Sequence, residues 1–116
     1  MNLKLKRRPV TPDIDVRPSV APSPADAAVP VAEVGYRTRS RVAGRVRSMR
    51  IQPWAGVATL ECTLVDATGG IVLVFLGRRH VAGIQCGTEL VAEGMVGESG
   101  GRLALLNPDY WLLSPD

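Results

Sequence analysis

Along most of the last eighty residues, apolar and polar side chains alternate with the period of two that marks a strand buried on one face. The stretch 57–65 is the clearest case. It sets Ala58, Leu60, Cys62 and Leu64 on one side and Thr59, Glu61 and Thr63 on the other. Ahead of it, residues 39–51 read as a long first strand with Val42, Gly44 and Val46 on the prospective core face. Gly44 in its middle predicts a bulge or bend, where the strand leaves one set of neighbours and joins another. Residues 52–56 are expected to form a loop. Residues 66–70 are expected to form a hairpin turn with glycine supplying positive φ, and 71–76 a third strand apolar on both faces. The pattern breaks over 77–87, where Val81, Ala82 and Ile84 predict a short helical turn. Residues 89–98 and 102–106 are the fourth and fifth strands around a tight turn at 99–101. Asn107 and Pro108 are expected to end the fifth, leaving 110–113 as an apolar patch lying back along the first strand.

The first third carries no such period. Six of the nine prolines fall between Pro9 and Pro30, a density that opposes both helix and ladder hydrogen bonding. Residues 1–34 are therefore expected to be a disordered basic, Pro-rich tail, and 35–116 a single folded domain. No apolar run follows Lys4, Lys6, Arg7 and Arg8, so a secretion signal is not expected. No segment reaches the roughly 18 apolar residues of a membrane span. Cys62 and Cys86 lack any Cys-x-x-Cys or Cys/His neighbourhood, and free thiols in a reducing cytoplasm are the expectation.

Charge changes the picture locally. The net charge is only +3. Residues 36–56, however, hold six arginines and no acid, whereas 57–116 hold three arginines and seven acids. Arg37, Arg39, Arg41, Arg45 and Arg47 stand on alternate positions, so an extended chain points all five the same way. A stripe of like charge asks for an anionic partner, most commonly a phosphate backbone. Glu61, Glu93 or Glu98 on adjacent strands are the available neutralising groups; the absence of acids within 36–56 favours an open cationic surface.

Five strands with an insertion between the third and fourth is the order of an OB-fold Greek-key barrel. Several segments also carry a family resemblance: Gly44-Arg45-Val46, the hairpin from Leu64 through Asp66-Ala67-Thr68-Gly69-Gly70 to Ile71, Val74-Phe75-Leu76, Gly87-Thr88, Gly94-Met95-Val96, and Asn107-Pro108-Asp109-Tyr110. Together they resemble the OB-type nucleic-acid-binding domains related to the anticodon-binding kind, and are particularly similar to the wedge domain of the RecG branch-migration helicases. The resemblance runs from about residue 39 to 113. It implies a five-stranded barrel that binds single-stranded or junction nucleic acid without chemistry of its own; the process served stays open, with DNA repair or recombination among the candidates. No Gly-x-x-x-x-Gly-Lys-Ser/Thr loop accompanies it, so no nucleotide-driven motor is expected.

The candidate interface combines phosphate contacts with stacking rings. Arg37, Arg39, Arg41, Arg45, Arg47 and Arg50 would supply the first, with Arg78 and Arg79 as a second basic point. Trp54, placed by this reading in the loop after the basic run, is the candidate ring. Phe75 is assigned to the core, and Tyr110 and Trp111 to core or barrel-end packing. His80 stands alone, and no metal, cofactor or small-molecule substrate is expected. The acids are scattered, which argues against paired-carboxylate catalysis. The alternative is a protein-interaction module. There the Pro-rich tail would be tether or bait, and the strand 71–76 and the closing aromatic patch would leave apolar surface exposed.

Overall fold

The computed structural model describes residues 27–113. The expected disorder of 1–26 lies outside the described residues. Five strands, β1 (Arg39–Trp54), β2 (Val57–Asp66), β3 (Gly69–Leu76), β4 (Glu89–Ser99) and β5 (Arg102–Leu112), close into a barrel in the order β1-β2-β3-β5-β4. All neighbours are antiparallel except β3 and β5, which run parallel over three residue pairs. This is the OB-type barrel.

β1 is long because it serves two partners. Arg39 to Arg45 pair with β4, and Arg45 to Trp54 pair with β2. The handover occurs beside Gly44, as its position suggests, and the bulge itself lies between Val46 and Ser48. Gly44 is needed for proximity: a Cβ there would run into the carbonyl of Val65, where β2 crosses close over β1. The loop expected over 52–56 shrinks to two residues, since Gln52, Pro53 and Trp54 pair with Thr59, Ala58 and Val57. Ala55 and Gly56 both take positive φ, 49° and 80°, as a two-residue turn matching strand twist requires.

The turn between β2 and β3 is held by a carboxylate rather than by glycine conformation. Asp66 Oδ1 accepts from the backbone N–H of Thr68 and Gly69 and from the Thr68 hydroxyl. Neither Gly69 nor Gly70 is among the positive-φ residues. The connection from β3 to β4 holds isolated hydrogen-bonded turns, such as Ile84 N–H to Val81 O, and no helix is recorded there. Among the described residues the one complete 3-10 helix, Val31–Glu33, precedes β1 instead. Val31 is buried in the core and donates its N–H to Asp66 Oδ2. The packed domain therefore begins at or before Val31 rather than at Gly35.

Asn107 and Pro108 do not end β5. Asn107 takes φ 47° in a bulge opposite Gly94, its side-chain oxygen accepts the Leu76 N–H, and pairing with β4 resumes at Asp109. The segment after it thus belongs to β5 and lies along β4, not along β1.

Alternation sends Leu60, Cys62, Leu64, Ile71, Leu73, Phe75, Leu90, Ala92, Val96, Leu105 and Tyr110 into one core with Val42 and Val46. Val81 and Ile84 from the β3–β4 connection join that core. Tyr110 meets Phe75 edge to face and donates its hydroxyl to the Ala82 carbonyl. The other face of β3 is apolar as well. Val72 and Val74 form a second small cluster with Ala104 of β5, flanked by Leu76 and Leu106.

Candidate nucleic-acid interface

The six arginines of residues 36–56 do not form one stripe. Arg37 precedes β1, sits at φ 68° and so leaves the alternation; its guanidinium lies over the Tyr36 ring. Arg39, Arg41 and Arg45 share the outer face of β1 above β4. The bulge at Val46–Ser48 then resets the alternation. Met49 turns toward the core and Arg50 faces out above β2.

Most of these cations already have anionic neighbours, supplied from across the sheet. Glu93 of β4 accepts from both Arg39 and Arg41, and Asp109 lies 3.5 Å from Arg39. Arg50 Nε reaches Glu61 at 3.0 Å, and Arg45 stands 3.6 Å from Glu89. The freedom from acids within 36–56 is real along the chain and absent in space. Arg47 differs: it is exposed and has no ion pair among the described residues.

The pairs are unequal. Glu93 is half-buried, and burial works to raise its carboxyl. Hydrogen bonds and charge from Arg41 and Arg39 outweigh that and hold it below the ordinary carboxylate value. Arg41 is further fixed by lying over the Trp111 ring at 5.2 Å. By contrast, Arg45 and Glu89 are 64% and 56% exposed and only loosely in contact. Such a pair is screened by water and easily exchanged for another anion.

The bend of β1 opens an outward groove of about 730 Å³, lined by Ala43, Gly44, Val46, Val65, Gly87 and Leu113, with Arg45 and Arg47 beside Asp66 and Glu89. The outer face of β2 and β3 is different. The hydroxyl of Ser99, at the tip of the β4–β5 hairpin, donates to Glu61 of β2 at 3.2 Å. β4 and β2 are not neighbours in the barrel, so this bond joins strands that do not pair. Thr59, Glu61, Val72 and Val74 on that face are all buried.

The remaining candidates separate. Trp54 is half-buried at the end of β1, on the same face as Arg50, rather than in a loop. Arg79 is exposed, whereas Arg78 is buried with Nη1 lacking a hydrogen-bond partner among the described residues. Trp111 is half-buried on the outside of the sheet, and its indole N–H also lacks a partner among the described residues. Tyr36, the most exposed aromatic residue at 52%, carries no sequence signal beyond its position beside a cation. Among the described residues no group of His, Cys, Asp and Glu could hold a metal, and no helix is long and apolar enough to cross a membrane.

The fold and this surface define an OB-type barrel with a cation-bearing first strand. The barrel is similar to the solution structure of a replication factor A related protein from Methanobacterium thermoautotrophicum. That likeness has a TM-score of 0.58 at 17% identity, covering 79% of this chain and 96% of that one. No protein-family model and no curated protein matches the chain.

Proposed function

We propose that this chain is a non-catalytic nucleic-acid-binding module that takes single-stranded or branched nucleic acid on the outer face of β1. The observation that carries the reading is the six-arginine run without acids in residues 36–56, displayed on an OB-type barrel. Cross-strand carboxylates temper that surface: they engage Arg39, Arg41 and Arg50 and leave Arg37, Arg45 and Arg47 exposed and loosely paired or unpaired among the described residues. Trp54 is the ring proposed to stack on a base at the far end of the same strand. The barrel shared with a replication factor A related protein supports a role in DNA transactions. The likeness to the RecG wedge makes branched DNA the finer form of the proposal. A cytoplasmic setting fits the two free thiols, Cys62 and Cys86.

The competing protein-interaction reading has lost its main support. The strand 71–76 that was to expose apolar surface is buried on both faces as far as Phe75, and Trp111 is half-covered beneath Arg41. The direct test is fluorescence anisotropy of labelled single-stranded DNA, branched DNA and RNA over a salt series. Two to four phosphate contacts, at about −0.7 each, give a log–log slope between about −1.4 and −2.8 for a single strand. Trp54→Ala should weaken binding by about 1–3 kcal/mol.

A further inference from the structure

We propose that the groove at the bend of β1 is the phosphate anchor of this barrel, with Arg45 and Arg47 as the residues that grip it. The outer face of β2 and β3, where OB barrels generally lay their oligonucleotides, would not hold the anchor. The inference rests on the nucleic-acid reading above and narrows it to one place. Four observations converge on the groove.

First, Arg47 is the one arginine of β1 with no ion pair among the described residues. Arg45 has only a 3.6 Å contact to a carboxylate as exposed as itself. A phosphodiester entering the groove would displace Glu89 from Arg45 at little cost. Second, the other acid on the rim is already committed. Both Asp66 oxygens accept hydrogen bonds from the chain, from Thr68 and Gly69 on one side and Val31 on the other. Third, the floor is small and apolar, made by Ala43, Gly44, Val46, Val65 and Leu113. It suits the sugar and base of the nucleotide whose phosphate the arginines hold. Fourth, the alternative face is occupied. Ser99 of the β4–β5 hairpin is bonded to Glu61, and Arg50 on that face is bonded to the same carboxylate. Arg39 and Arg41 are likewise engaged by Glu93. In this arrangement Arg39, Arg41 and Arg50 brace the barrel, and Arg45 and Arg47 contact the ligand.

The test uses the full chain and a fluorescein-labelled fifteen-nucleotide oligo-dT, with anisotropy followed over a KCl series. Arg45→Ala with Arg47→Ala should weaken binding and reduce the magnitude of the salt slope by about 1.4, two contacts at about 0.7 each. Arg39→Ala with Arg50→Ala should leave the slope unchanged. Glu89→Gln removes the competing carboxylate and should tighten binding by up to about fivefold, a gain that partial unfolding cannot mimic. The inference is overturned if the Arg45/Arg47 variant keeps the wild-type slope, or if the Arg39/Arg50 variant alone loses it. If the wild-type chain binds no oligonucleotide at low salt, the nucleic-acid reading fails and the anchor with it.

Discussion

Ser99 and Glu61 meet at 3.2 Å although their strands never pair, and this bond fastens the β4–β5 hairpin across the barrel wall. Glu61 is 6% exposed, and its charge is matched there by Arg50 and the Ser99 hydroxyl. A long hydrogen bond of this kind contributes about 0.5–1.5 kcal/mol. Ser99→Ala should therefore lower the unfolding free energy by that amount in urea titrations, and should speed proteolysis within residues 98–103. An unchanged urea midpoint would mean that the hairpin is held by other contacts.

Gly44 should tolerate no side chain. A Cβ at this position would overlap the Val65 carbonyl oxygen and lie 3.0 Å from its carbon, both backbone atoms with little room to retreat. Gly44→Ala should cost about 1–3 kcal/mol, the range for overpacking a tight site. The measurement is thermal or urea unfolding. Wild-type stability in the variant would show that the two strands can separate at the bend without penalty.

Acid should loosen the barrel through two carboxylates. Burial works to raise Asp66, but hydrogen bonds from the Thr68 side chain and from the N–H groups of Val31, Thr68 and Gly69 hold it below its ordinary 3.8. Glu93 is held below its ordinary 4.5 by Arg41 and Arg39 against the same opposing effect of burial. A group whose pKa is lower folded than unfolded contributes stability above the unfolded value and loses it as pH falls through the folded one. Urea midpoints should thus fall on acidification from about pH 4.5 downward, and Asp66→Asn should flatten part of that fall. Midpoints that do not change between pH 6 and 3 would contradict this.

The two thiols should be chemically distinct. Cys62 lies in the core, where burial, and then the nearby charge of Cys86, push its thiol up to about 12; Cys86 is exposed. A thiolate-selective reagent at pH 8 should modify one cysteine quickly in the native chain and two in denaturant. Cys86→Ser should abolish the fast phase. A fast phase surviving in that variant would place Cys62 within reach of solvent.

What could be read from the amino acids was what local pattern controls. The alternation of Leu60, Cys62 and Leu64, the two-faced apolar third strand and the meaning of Gly44 all follow from a period of two and from glycine's missing Cβ. Elsewhere distant residues decide. Asn107 and Pro108 signal a stop locally, yet Leu76 N–H binds the Asn107 side chain and β4 continues to pair, so the strand runs on through a bulge. Glu61 and Glu93 are visible as possible neutralising groups, but the absence of acids within 36–56 points the other way, and which arginines each carboxylate takes is set only when β2 and β4 come alongside β1. The bulge after Val46 turns Arg50, which strict alternation would place on the core face, outward beside Glu61. Val31 stands among prolines in the sequence, yet it packs in the core and donates its N–H to Asp66, 35 residues later.

One measurement bears most directly on the central claim: equilibrium binding of the wild-type chain to a single-stranded oligonucleotide as salt is raised. The account predicts association at low salt that weakens with a log–log slope of at least about −1.4 in magnitude, set by two or more displaced counterions. Absence of binding at low salt, or binding indifferent to salt, would contradict it.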